Sequence, residues 1–194
     1  MEEYFLLPLH EIFKDEDTIQ KIHAQTIAIL QDEWPRAEEL RKRAISRSCN
    51  GLPTSFSLVR KSEPHDAHGY CQISPVPGLE DCCFLESVVI QRDLRGTGLG
   101  RILVKFVEDY VGANEFACKS RIVLTAKPDQ AGFYKRLNYT SCEPIAYTSG
   151  SAAKLIPPIF LERLAAVNQS KNVKSAKPTI ERTNNVEWLH KLLV

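Results

Sequence analysis

The stretch Val88-Val89-Ile90-Gln91-Arg92-Asp93-Leu94-Arg95-Gly96-Thr97-Gly98-Leu99-Gly100-Arg101 joins two patterns that belong to different elements. Its β-branched start reads as a buried strand. From Leu99 onward, Ile102, Leu103, Phe106, Val107, Tyr110 and Val111 recur at helical spacing, and Gly112 ends that helix. Between the two, three glycines let backbone N–H groups come close to an anion. The helix N-terminus adds partial positive charge, and Arg95 and Arg101 flank the turn. By composition this is a pyrophosphate cradle. A dinucleotide fingerprint would need glycine at 101, where Arg101 stands, and the Gly-Lys-Ser/Thr of a P-loop is absent.

Working outward, the chain reads as strand, two helices, three strands, helix, strand, helix, strand. Glu3 to His10 forms the first strand. A helix starts near Asp17, with Gln20 three residues on, and stops at Trp34-Pro35 because the residue before proline avoids helical geometry. A polar helix covers about Ala37 to Arg47. Thr54 to Lys61, Ala67 to Ser74 and Cys82 to Gln91 form an antiparallel meander, with turn residues Pro64, Asp66, Pro75, Pro77 and Gly78 between them. Arg121 to Ala126 is a short strand, Asp129 to Leu137 a short helix and Tyr139 to Ala146 a strand. Pro157-Pro158 opens a helix to about Val167, residues 168 to 183 form a mobile polar loop, and Val186 to Val194 returns as a closing strand. The expected architecture is one α+β domain over residues 1 to 194, a mixed, mainly antiparallel sheet with helices on both faces.

Arg95-x-x-Gly98-x-Gly100 resembles the coenzyme A pyrophosphate motif, R/Q-x-x-G-x-G/A, of the GNAT acetyltransferase superfamily, and the element order is similar to that superfamily's fold. The resemblance implies acetyl-CoA as cofactor. It implies a cradle made by Arg95, Gly96, Thr97, Gly98, Leu99, Gly100 and Arg101, and a pantetheine arm paired with the backbone of Val88, Val89 and Ile90. Asp129 to Tyr139 resembles the second signature of the superfamily. Asn138 replaces the usual glycine at the helix end, Lys127 stands where many members carry asparagine, and Gln130 is its substitute against the cofactor.

A closer resemblance is to the actin N-terminal acetyltransferase family. It is carried by Trp34-Pro35-Arg36 after Asp32-Glu33, by Glu86 to Ile90, and by Leu124 to Tyr134. It implies transfer of acetyl to the processed, acidic N-terminus of actin. Some members carry a long proline-rich insertion linked to profilin; here that stretch holds only Pro157, Pro158 and Pro178.

The chemistry requires a neutral amine, and an α-amino group has a pKa of about 8. Glu86, at the start of the strand lining the cofactor gap, is either the general base or a strand-end charge facing solvent. The backbone N–H near Val89 is the donor expected for the carbonyl oxygen. The resemblance places Tyr134 to protonate the leaving thiolate, and Phe133 and Tyr134 are not expected to face the core together. Trp34, Arg36, Arg41 and Lys42 lie at the start of the basic second helix, where they are either a solvated face or carboxylate partners of an acidic peptide. Alternative acceptors are lysine side chains or small amines, and a noncatalytic acyl-CoA-binding module is the rival from another class.

Composition narrows partners little. Lys and Arg number 25 against 24 Asp and Glu, a net charge of +1, which with no aromatic-basic interleaving argues against nucleic acid. No stretch approaches a membrane span, and the first residues lack the basic start of a signal peptide. The six cysteines show no metal-ligand spacing and the five histidines no motif spacing. Reduced thiols, a cytoplasmic location and a monomer are the expectations.

Overall fold

The structure, a computed structural model, describes residues 3–11, 16–76, 79–113, 120–143 and 186–193. Its elements are β1 (Tyr4–Pro8), α1 (Glu16–Glu33), α2 (Glu38–Ile45), β2 (Thr54–Arg60), β3 (Glu63–Val76), β4 (Leu79–Ile90), α3 (Leu99–Ala113), β5 (Arg121–Ala126), α4 (Pro128–Lys135), β6 (Thr140–Ser141) and β7 (Glu187–Leu192). The seven strands make one sheet in the order β1-β2-β3-β4-β5-β7-β6. Among the described residues, only the β4–β5 pair is parallel. The expected mixed, mainly antiparallel sheet is present, and the closing strand slots between β5 and β6. The helix expected after Pro157-Pro158 and the polar loop 168–183 lie outside the described residues.

Apolar clusters sit on both sheet faces. On one, Leu99, Leu103, Val104, Val107 and Val111 of α3 pack with Ala131 of α4 against Phe56, Leu58, Cys71, Ile73, Leu85 and Ile90. On the other, Ile22, Ile27, Ile29 and Leu30 of α1 and Ile45 of α2 cover Ala67, Tyr70 and Val89. Cys82 and Cys83 divide between the faces, as strand alternation requires. Among the described residues, no helix is long and apolar enough to cross a membrane.

The meander strands are longer than their turn residues indicate. Pro64, Asp66 and Pro75 all lie inside β3, which also absorbs register shifts against both neighbours. Pro75 is tolerated because it lies beyond the Thr54–Ile73 pair where β2 begins, so β3 has a strand partner on one side only there.

Candidate active site

Three features of β4 build the site. Its pairing with β5 runs only from Cys82–Arg121 to Phe84–Val123, after which the two strands part. β5 continues on β7 to Ala126. Leu85 to Ile90 therefore keep β3 on one side and face a gap on the other. The second feature is a bulge. Ser87 takes a φ of 55°, and the β3 register steps from Gln72–Glu86 to Tyr70–Val89. This extra residue resets the alternation: Leu85 and Ile90, five apart, belong to the same cluster, while Val89 faces α1. The third feature is the exit of β4 through a single 3-10 turn, Arg92–Leu94, into the glycine loop.

In that loop Gly96 and Gly98 have φ of 81° and 92°, and a Cβ added at either would meet nothing within 4 Å. The loop thus opens onto free space. The Gly96, Thr97 and Gly98 N–H groups meet no acceptor among the described residues. Leu99 and Gly100 begin α3, so their N–H groups have no intrahelical partner. Gly100 approaches Phe133 of α4 at 3.5 Å from its would-be Cβ, which ties the cradle to α4. These orphan donors, facing open space, fit a pyrophosphate. Arg95 behaves differently from a free flanking charge. Its guanidinium pairs with Glu33 of α1 at 2.8 Å and its Nε donates to the Ile90 carbonyl at 2.9 Å. Arg95 fastens the loop to α1, whereas Arg101 is exposed. Gln130 is also exposed, in the first turn of α4.

Tyr134 lies on α4 with its ring edge-on to Phe133 at 4.9 Å and to Tyr139 at 5.8 Å. Both Phe133 and Tyr134 pack against the α3-side core, so the expectation that they could not is corrected. Burial, then the nearby Cys71 thiol, pushes the Tyr134 phenol well above its ordinary value. Asn138 closes the helix with a φ of 68°, the left-handed ending its side chain tolerates.

Glu86 is not at the start of β4 but past its middle, directly before the bulge, and half-buried. The expected strand-end position is therefore corrected, and Ser74 Oγ donates to Glu86 Oε1 at 2.7 Å. Behind Ser74 a polar strip crosses the sheet on the α1 side, through Gln72, Tyr70 and Ser55. It separates the cluster under α1 from a second apolar patch of Val76, Phe84, Val123 and Trp188. By alternation with Val123, Thr125 shares this face across the gap, and its hydroxyl is buried without a partner among the described residues.

The four residues expected at a peptide groove separate. Trp34 and Arg36 sit exposed in the turn between α1 and α2. Gln31 clamps that turn by accepting from the Arg36 N–H at 2.8 Å and donating to the Arg36 carbonyl. Arg36 makes no ion pair among the described residues. Lys42 pairs with Glu38 at 2.9 Å and Glu39 at 3.3 Å. Arg41 is only 9% exposed and donates to the carbonyls of Leu30 and Trp34, capping α1. Its expected availability to a substrate carboxylate is corrected accordingly, since the guanidinium is committed to a helix end. Its Nε is buried without a partner.

Residues 13–139 match the model of the acetyltransferase (GNAT) family. The chain belongs to the GNAT acetyltransferase family, whose acetyl donor is acetyl-CoA. It is 31% identical over 121 residues to mouse N-alpha-acetyltransferase 80, a match that spans 60% of this chain and 37% of that protein. The fold is similar to that of the ribosomal-protein-S18-alanine N-acetyltransferase of Escherichia coli. There the TM-score is 0.56 and the identity 13%, over 98% of this chain and 94% of that one. It is also similar to the spermidine/spermine N-acetyltransferase SpeG of Vibrio cholerae, with TM-score 0.57 and 11% identity over 98% and 93% of the two chains. N-acetylglutamate synthase of Neisseria gonorrhoeae, solved with coenzyme A, shares the fold at TM-score 0.56 and 13% identity, over 98% of this chain and 35% of that one.

Proposed function

We propose that this acetyltransferase acts on the α-amino group of an acidic protein N-terminus, that of processed actin. The observation carrying this reading is the α1–α2 turn, which offers Arg36 without an ion pair among the described residues beside exposed Trp34, between two helices that pack on the sheet face bearing the polar strip to Glu86. The likeness to mouse N-alpha-acetyltransferase 80 supports an α-amino acceptor. A polyamine would meet like charge at this turn.

Acetyl-CoA supplies an acetyl thioester activated toward amines. The N–H groups of Gly96, Thr97, Gly98, Leu99 and Gly100 would hold its pyrophosphate, and the open side of Val88 to Ile90 would take the arm. Glu86 accepts a proton from the substrate ammonium. As the neutral nitrogen bonds to the acyl carbon and the carbon–sulfur bond breaks, Tyr134 would give its phenolic proton to the departing sulfur; the second proton shed by the nitrogen restores the phenol, and the proton held by Glu86 passes to solvent. The products are the N-acetylated peptide and the free thiol, with one proton released to solvent. Alignment of amine and thioester supplies much of the rate.

The test is Arg36→Ala assayed on peptides beginning Asp-Asp-Asp and Ser. A charge-assisted contact is worth about 1.5–3 kcal/mol, so kcat/KM for the acidic peptide should fall by about tenfold or more, with little change for the neutral one. Equal losses on both peptides would remove Arg36 from substrate recognition.

A further inference from the structure

The polar strip beside Glu86 has a direction. Tyr70 donates its hydroxyl to Gln72 Oε1 at 3.0 Å, Gln72 Nε2 donates to Ser74 Oγ at 3.3 Å, and Ser74 Oγ donates to Glu86 Oε1 at 2.7 Å. Ser55 Oγ supports the far end, 3.0 Å from the Tyr70 hydroxyl. The Gln72 amide sets the order, because its oxygen can only accept and its nitrogen only donate. With Ser74 receiving a hydrogen from Gln72, its own hydrogen is left for the carboxylate. Every donor in the line points toward Glu86, so Glu86 Oε1 is held as a hydrogen-bond acceptor with a fixed orientation. Ser55, Tyr70 and Ser74 are almost wholly buried, so water cannot easily replace these bonds.

We propose that Tyr70, Gln72 and Ser74 are positioning residues that hold the Glu86 carboxylate as an acceptor beside the bulge, oriented for the incoming amine. The proposal rests on Glu86 acting as the base. The line does not relay the proton onward, since a side-chain amide in its middle interrupts transfer. It fixes the acceptor instead. The strip reads along β3 as polar residues at every second position, Tyr70, Gln72 and Ser74, among the apolar Cys71 and Ile73 that face the other way.

Four variants test this: Ser74→Ala, Ser74→Thr, Glu86→Gln and the double Ser74→Ala/Glu86→Gln, each assayed for kcat and KM on an acidic peptide and for acetyl-CoA binding. Ser74→Ala should lower kcat by about tenfold, with KM and acetyl-CoA affinity held, and Ser74→Thr should recover most of the loss by restoring the hydroxyl. In the Glu86→Gln background, Ser74→Ala should cost nothing further, because the group it orients is gone. Gln72→Met, one link out, should give a smaller loss of the same kind, and it stands in where the Ser74 variants do not fold. Full kcat in Ser74→Ala and Gln72→Met beside a crippled Glu86→Gln overturns the positioning line alone, as does an equal fractional loss in both backgrounds. Full kcat in Glu86→Gln overturns the base assignment and the line together.

Discussion

Gly98 shows how one residue serves both fold and chemistry. Its φ of 92° is a conformation that costs a non-glycine residue about 1–3 kcal/mol, yet the space above its Cα is empty. Gly98→Ala therefore meets no protein atom. Its damage comes from turning the peptide plane and from filling the space an anion would take. The expected result, by calorimetry beside circular dichroism, is a folded protein whose acetyl-CoA affinity drops by about tenfold, roughly 1.4 kcal/mol. Unchanged affinity in a folded variant would mean the cradle lies elsewhere. Tyr134 tests the other end of the reaction. Burial raises its pKa, so the phenol keeps its proton throughout the working range and no alkaline limb should be traced to it. Tyr134→Phe keeps the ring contacts with Phe133 and Tyr139 and should lower kcat more than it alters acetyl-CoA affinity. An unchanged kcat, with chemistry limiting, would leave Tyr134 a packing residue. The glycine loop was legible in the sequence because its positive-φ backbone geometry is one that glycine advertises. The left-handed Ser87 was not, because nothing about a serine announces a bulge. Arg41 likewise read as one more charge on a basic helix, since its burial depends on where the last turn of α1 ends.

At the scale of elements, α1 joins the glycine loop to α2 at its end. Its C-terminal turn holds Arg95 through Glu33, Arg92 through Asp32 and Arg41 through its carbonyls. Near its middle, His23 hydrogen-bonds the backbone of Leu9, and its Nε2 is buried without a partner. Burial lowers the His23 pKa from 6.5, with the Leu9 bond working against it. A base whose folded pKa lies below its unfolded value binds fewer protons when folded. Its contribution to stability is complete above about 6.5 and is lost as pH falls from there toward the depressed value. Thermal unfolding followed from pH 8 to about pH 5 should show a declining Tm, and His23→Gln should flatten part of that slope. An identical slope in the variant would assign the acid sensitivity to other groups. Element order and most boundaries follow from periodicity alone. What periodicity missed is the length of β3 and β4, because turn-forming residues were counted without knowing that β2 stops short and leaves room for Pro75.

At the scale of the whole molecule, the parting of β4 from β5 opens the gap where the proposed reaction takes place, and packed layers flank it on both faces of the sheet. The α3 side closes one wall. There Glu108, 6% exposed, pairs with Lys191 of β7 at 2.8 Å, and the Lys191 ammonium lies 5.6 Å from the Tyr139 ring centre. That pair joins α3 to the last strand, across the layer that carries Tyr134. The α1 side supplies the polar strip ending at Glu86 and the turn bearing Arg36. Sequence reading reached this arrangement through resemblance, since no local pattern in Cys82 to Ile90 or Arg121 to Ala126 states that the two strands pair for three residues and then separate. The claim that joins these parts is that acetyl is delivered to an acidic N-terminus. Its most direct test is the initial rate of the unmodified enzyme with acetyl-CoA on four acceptors at equal concentration: an Asp-Asp-Asp peptide, a Ser-starting peptide, an N-terminally blocked lysine peptide and spermidine. The acidic peptide should be acetylated at its α-amino group at least about tenfold faster than any other, an advantage that shrinks as salt screens Arg36. Equal rates on the acidic and neutral peptides, or a preference for lysine or spermidine, would contradict it.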